Sequence, residues 1–280
     1  MTKRLLDKSA LIVGGGQIPG ETIGNGRATA LTFAREGARL AIADVNLEAA
    51  EETVRLVREA GGDGFALQGD VTAEDDCARF ARETLKAFGQ ISILHNNVGI
   101  GHGDSGPTRI TAAAWRSILD VNLTGMLLMA KHVLPTMREQ KSGAIVNVSS
   151  MISICSDTTV VASAVDQDDG EGQVAYKVSK AGVNSLTQSL AMSNAVHGIR
   201  VNAILPGLMD TPNAIEAAAK AGGISRDELR RIRDRQVPLG GRQGTAWDVA
   251  NAALFLCSEE ARFVTGALLP VDGGQSLRIG

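Results

Sequence analysis

The sequence predicts an α/β protein, a parallel sheet doubly wound by helices, and three observations point there. Short apolar runs alternate with amphipathic stretches along all 280 residues, the pattern of strand–helix crossovers. A glycine cluster, Gly14-Gly15-Gly16, follows the first apolar run. No linker rich in Pro, Ser or charge interrupts the alternation, so one domain over residues 1–280 is expected.

In order, Ala10 to Val13 reads as the first strand. Arg27 to Arg35 has helical spacing and stops at Gly37, a natural C-terminal glycine. Arg39 to Ala43 is the second strand, closed by Asp44, and Leu47 to Ala60 is an amphipathic helix ended by Gly61-Gly62. Phe65 to Leu67 runs into Gly69-Asp70-Val71, and Thr72 with Asp75 reads as a capping box for a helix from Asp75 to Phe88. Strand Ile91 to His95, a long helix ending near Met137 and strand Ala144 to Val148 follow. Helix Val174 to His197, strand Arg200 to Ile204, helix Ala246 to Leu256 and strand Ala267 to Val271 complete the pattern. That makes seven strands with helices on both faces.

Composition narrows the function. The net charge of −3 is spread without a basic block, and aromatic residues are only 3%. A nucleic-acid surface is therefore not expected. Cys77, Cys155 and Cys257 form no CxxC pair and read as free thiols in a reducing compartment. The four histidines show no metal spacing; His95 reads as a packed side chain and His102 as a solvated loop residue. Met1 to Lys8 lacks an apolar run, and no stretch reaches the ~20 residues that span a bilayer. A cytoplasmic protein without membrane partners is expected.

Glycines between a first strand and a first helix let a dinucleotide's pyrophosphate approach backbone N–H groups at the helix N-terminus. Gly14, Gly24 and Gly26 stand there, although a plain flexible turn would look the same. Asp44 ends the second strand, where a carboxylate can accept from both adenosine ribose hydroxyls and would repel a 2′-phosphate. NAD is favoured over NADP. Asp70-Val71 could meet the adenine edge, or simply form a turn. Tyr176 and Lys180 lie four apart in a helical pattern and share one face. An ammonium beside a phenol lowers its pKa from near 10, so that Tyr176 can exchange a proton with an alcohol or ketone. Alone, such a pair equally fits a helix surface. Ser150 could donate to a substrate oxygen or cap a helix.

Together these residues resemble the classical short-chain dehydrogenase/reductase family over nearly the whole chain. The ordered motifs are Gly14…Gly24-Asn25-Gly26, Asp44, Asp70-Val71, Asn96-Asn97-Val98-Gly99, Asn122, Ser150, Tyr176-x-x-x-Lys180, Pro206-Gly207-x-x-x-Thr211 and Val271-Asp272-Gly273-Gly274. The resemblance implies a Rossmann fold and a nicotinamide cofactor. It makes Tyr176 the acid/base, with Lys180 lowering its pKa and holding the nicotinamide ribose. Ser150 would orient the substrate oxygen, and Asn122 would anchor a relay water. Cofactor contacts are expected from Gly14, Gln17, Gly24, Asn25, Gly26, Asp44, Asp70, Val71, Asn97 and Gly99. Tyr176, Lys180, Pro206, Met209 and Thr211 would complete that set. A lid at about 213–235 and a homotetramer or homodimer built on the long helices are also implied.

Three departures stand out. Gly14 and Gly24 are ten positions apart, six more than the family's G-x-x-x-G, with the surplus in Gly15 to Ile23. Val13 replaces a threonine whose hydroxyl ties this turn to the Asn97 loop. Ser150 and Tyr176 are 26 positions apart, about twice the family's separation, with the surplus at about 152–172. That segment, with its acidic run Asp166-Gln167-Asp168-Asp169, is expected to narrow the pocket or touch a neighbouring subunit. The charged run Arg226 to Arg235 reads as a solvated helix face. The main reading is an NAD(H)-dependent oxidoreductase for a secondary alcohol and its ketone. The alternatives are a dinucleotide-binding regulator without turnover and a lyase or epimerase using the same tyrosine.

Overall fold

A computed structural model describes residues 3–155 and 173–278. The expected surplus at 152–172 therefore falls mostly outside the described residues. Seven parallel strands form one sheet: β1 (Ser9–Val13), β2 (Arg39–Asp44), β3 (Asp63–Gln68), β4 (Ile93–Asn96), β5 (Gly143–Val148), β6 (Ile199–Pro206) and β9 (Leu268–Val271). Their order is β3-β2-β1-β4-β5-β6-β9. The order reverses between β1 and β4, and the strands' carboxyl ends at such a switch point open a crevice for a ligand.

The apolar runs are continuous because both faces of the sheet are covered. Ala10 and Ile12 pack towards Phe33 of α1 (Asn25–Arg35) and Leu254 of α9 (Ala246–Cys257). Leu11 and Val13 turn the other way, towards Phe80 of α3 (Glu74–Phe88) and Met129 of α5 (Gly125–Gln140). Fully burying each such side chain contributes roughly 1.5–3 kcal/mol. α2 (Leu47–Glu59) flanks β2 and β3 on the first face.

Four details differ from expectation. The helix after β3 starts at Glu74, and its N-cap Ala73 makes no side-chain bond. The capping box fails because Asp70 Oδ1 takes the Thr72 N–H at 2.9 Å, leaving Thr72 in a turn before the helix. The long helix before β5 is two helices, α4 (Ala112–Leu119) and α5, joined by a π-helical turn, Asp120–Thr124. The helix carrying Tyr176, α6, spans Ala175–Asn194 and ends in a tighter turn, Ala195–His197. A short ribbon, β7 (Met209–Asp210) with β8 (Gly244–Thr245), was not expected.

Between these two strands lie α7 (Pro212–Gly222) and α8 (Arg226–Asp234). The charged face of α8 is no plain solvated surface. Arg226 and Arg230 both reach Glu21, at 3.1 and 3.0 Å, and Arg230 also pairs with Asp210 at 3.1 Å. Arg233 is buried and donates to the Met209 carbonyl at 3.2 Å. Among the described residues, no helix is long and apolar enough to cross a membrane.

Candidate active site

At the switch point, the glycine turn is folded onto itself and onto its neighbours. Gly14 adopts φ +78°, which a side chain would strain, and a Cβ on Gly26 would overlap the Gly14 carbonyl oxygen. Asn97 Nδ2 donates to that same oxygen at 2.8 Å. The link between turn and Asn97 loop, expected to be lost with Val13, is thus supplied from the loop side. The surplus residues are used as well. Gly16 N–H donates to Asp44 Oδ2 at 2.9 Å. Gln17 joins the turn, its Oε1 accepting the Gly24 N–H at 2.8 Å. Gly20 lies against Pro212 and Glu216 of α7.

The turn fits a dinucleotide phosphate on its own evidence. Gly24 caps α1 without a side-chain bond, so the first-turn N–H groups have no side-chain partner. The buried Asn25 Oδ1 also lacks a partner. Asp44 already receives the Gly16 and Asn46 N–H groups; each carboxylate oxygen keeps a second lone pair for a ribose hydroxyl. Asp70 accepts from Thr72, and Val71 is buried beneath Gly125.

The second half of the crevice lies where β4, β5 and β6 end. The Ser150 hydroxyl is near enough to the Tyr176 phenol to lower its pKa, and Lys180 Nζ lies 5.7 Å from the tyrosine ring centre. Lys180 Nζ donates to the Val148 carbonyl at 2.9 Å and would touch a Cβ on Gly99. Ser150 also caps the short turn Met151–Ser153, accepting from Ile152 N–H at 3.3 Å, so both roles anticipated for it are available together. The Ser149 hydroxyl donates to the Lys180 carbonyl at 2.9 Å, holding the helix to β5.

Two electrostatic expectations change. Burial raises the Tyr176 pKa above its ordinary value, opposed only by the Ser150 hydrogen bond. Burial also pushes Lys180 down to about 7. The burial of the phenol itself is thus the largest influence on it, and Lys180 is desolvated in turn. Asn122 lies in the π-helical turn: Oδ1 accepts Ile100 N–H at 2.8 Å, and Nδ2 donates to Ile100 O and Ser179 Oγ at 2.9 and 3.0 Å.

Pro206 ends β6, Met209 is buried, and Thr211 caps α7. Gln275, not singled out from sequence, and Asp272 of the last motif shape this stretch. Gln275 Oε1 accepts Leu208 N–H at 2.8 Å, while Asp272 takes the Gly274 and Ser276 N–H groups. His95 is fully buried and pushed down to about 4; His102 is exposed. Cys77 and Cys257 are buried free thiols pushed up to about 11 and about 12, unlike reactive cysteines.

The glycine turn and the Ser150, Tyr176 and Lys180 cluster lie together at the carboxyl ends of the central strands, an arrangement suited to an α/β oxidoreductase. A family model described as enoyl-(acyl carrier protein) reductase matches residues 21–276. The chain is 38% identical over 257 residues to cis-4-hydroxycyclohexanecarboxylate dehydrogenase of Sinomonas cyclohexanicum, covering 92% of this chain and 94% of that one. It is 34% identical over 279 residues to 2,5-dichloro-2,5-cyclohexadiene-1,4-diol dehydrogenase LinX of Sphingobium indicum, covering 100% of both. The solved structure of levodione reductase superposes with a TM-score of 0.85 at 32% identity, covering 99% of this chain and 100% of that one. The chain belongs to the short-chain dehydrogenase/reductase family, whose members use nicotinamide dinucleotides.

Proposed function

We propose that the protein is an NAD-dependent dehydrogenase that interconverts a secondary alcohol on a six-membered ring with its ketone. The observation that carries it is the grouping of Ser150, Tyr176 and Lys180 at the carboxyl ends of the strands, with Lys180 Nζ 5.7 Å from the Tyr176 ring centre. The bound dinucleotide supplies the hydride acceptor. Ser150 holds the substrate oxygen, and Tyr176 takes its proton as the alcohol is oxidised, or returns it in the reverse direction. Lys180 reinforces the phenolate when protonated and offers an ammonium to the ribose. An Asn122 carbonyl would lead the proton outward. Asp44 favours NAD over NADP by repelling a 2′-phosphate. Pro206, Met209 and Thr211 would enclose the nicotinamide, under a lid of α7 and α8. Two relatives named for ring alcohols support the substrate class.

A panel of cyclohexanols, hydroxycyclohexanecarboxylates, cyclohexadienediols and linear alcohols, each offered NAD and NADP, tests this. NADH formation with ring alcohols, at least tenfold above linear ones and above NADP, is expected. Turnover only with NADP, or none with any ring alcohol, would refute the assignment. We further propose a homotetramer or homodimer, supported by Leu127, Val178 and Met192 exposed on α5 and α6; a monomer by light scattering would exclude it.

A further inference from the structure

Loop 97–111, between β4 and α4, is fastened at three places. Asn97 holds the glycine turn, and Asn122 holds both polar groups of the Ile100 backbone. Beyond these, Asp104 places both carboxylate oxygens on the first turn of α6. Oδ1 accepts the Ala175 N–H at 3.0 Å, and Oδ2 accepts the Tyr176 N–H at 2.7 Å. That helix has no cap of its own, since Val174 makes no side-chain bond there. Its opening amides are satisfied by a carboxylate 71 positions earlier in the chain.

We propose that Asp104 is the positioning residue that sets Tyr176 against Ser150 and the dinucleotide turn. The proposal rests on the reading of Tyr176 as the proton-transferring group. Ser150 follows β5 and Tyr176 enters α6, 26 positions apart in sequence, so no short tether fixes their separation. Hydrogen bonds to a carboxylate are roughly twice as strong as neutral ones. Two of them on consecutive amides fix both the rise and the rotation of the helix at the turn that carries the phenol. A shift of about 1 Å in a reacting group can cost on the order of a hundredfold in rate. The carboxylate is itself preset: Asp104 N–H donates to Gly101 O at 3.2 Å, and Oδ1 also takes Ser105 N–H at 2.9 Å. Gly101 runs beside the tyrosine ring, where a Cβ would lie 3.6 Å from Cδ2. Loop, helix start and ring therefore move as one body.

The test compares Asp104→Ala, Asp104→Asn and Tyr176→Phe in the full chain, using NAD and the best alcohol of the panel. Asp104→Ala should lower kcat at least tenfold while the NADH dissociation constant, read by NADH fluorescence, stays within twofold. Asp104→Asn keeps the volume and one acceptor and should recover to within about threefold of wild type. A kcat for Asp104→Ala within twofold of wild type, even with a lowered melting temperature, would reduce Asp104 to a structural cap and overturn the proposal. So would equal kcat values for the Ala and Asn variants. If Asp104→Ala does not fold, Asp104→Leu, similar in size but without an acceptor, takes its place. A kcat lowered at least tenfold with NADH binding intact supports the pin; a kcat within twofold of wild type overturns it. An inactive Tyr176→Phe alongside a fully active Asp104→Ala rejects only the positioning role. An active Tyr176→Phe rejects the function on which it rests.

Discussion

Lys180 brings an amine into a site where only 2% of its surface is exposed, and that placement should register in stability. Its folded pKa of about 7 lies below the ordinary 10.5, so the unfolded chain binds the proton more tightly. The resulting penalty is complete below pH 7 and fades as pH rises from 7 to 10.5. Lys180→Met should therefore raise the melting temperature at pH 6 by at least about 2 °C, a gain that shrinks towards pH 9, while activity is lost. Thermal melts at the two pH values check this. His95 gives the same sign in a lower window. It is buried beside Phe33 with neither ring nitrogen bonded, and its pKa falls from 6.5 to about 4. Protonation then opposes folding as pH drops below 6.5, by up to about 3 kcal/mol near pH 4. His95→Leu should flatten the acid limb of the stability curve measured by urea unfolding; an unchanged limb would show that another group governs it.

At the scale of elements, the extended glycine turn meets α7 and α8. Glu21 bridges Arg226 and Arg230 across more than two hundred positions, so the surplus residues support α8 rather than hang in solvent. Such exposed pairs contribute only about 0–1 kcal/mol each. Glu21→Ala should leave the melting temperature nearly unchanged, yet raise the KM for NAD about two- to fivefold by loosening the lid over the turn. Steady-state kinetics read this directly. Gly26→Ala is harsher, because its Cβ meets the Gly14 carbonyl. Dinucleotide affinity should fall at least tenfold in fluorescence titrations. Element boundaries were readable wherever a local signal set them, as at Asn46, whose side chain accepts from Ala49. They were misread after β3, where Asp70 took the Thr72 N–H and removed the presumed cap.

For the whole molecule, the sheet was legible because its central strands are apolar runs buried on both faces, with helical segments between them. The Tyr176, Lys180 and Ser150 cluster was legible because its members are spaced by one helix turn or end a strand. What the sequence concealed were contacts between distant segments: Asp104 on α6, Gln275 under Leu208, and Asn97 on Gly14. Nothing in local periodicity encodes them. Also hidden was the effect of burial on Tyr176 and Lys180, since depth in the fold, not spacing, determines their ionisation. The central claim is that the single tyrosine moves the proton as hydride passes to NAD. Initial rates of NADH formation by Tyr176→Phe, with NAD binding confirmed, test it most directly. A loss of at least a hundredfold is expected for removal of a general acid/base; a loss below tenfold would contradict it.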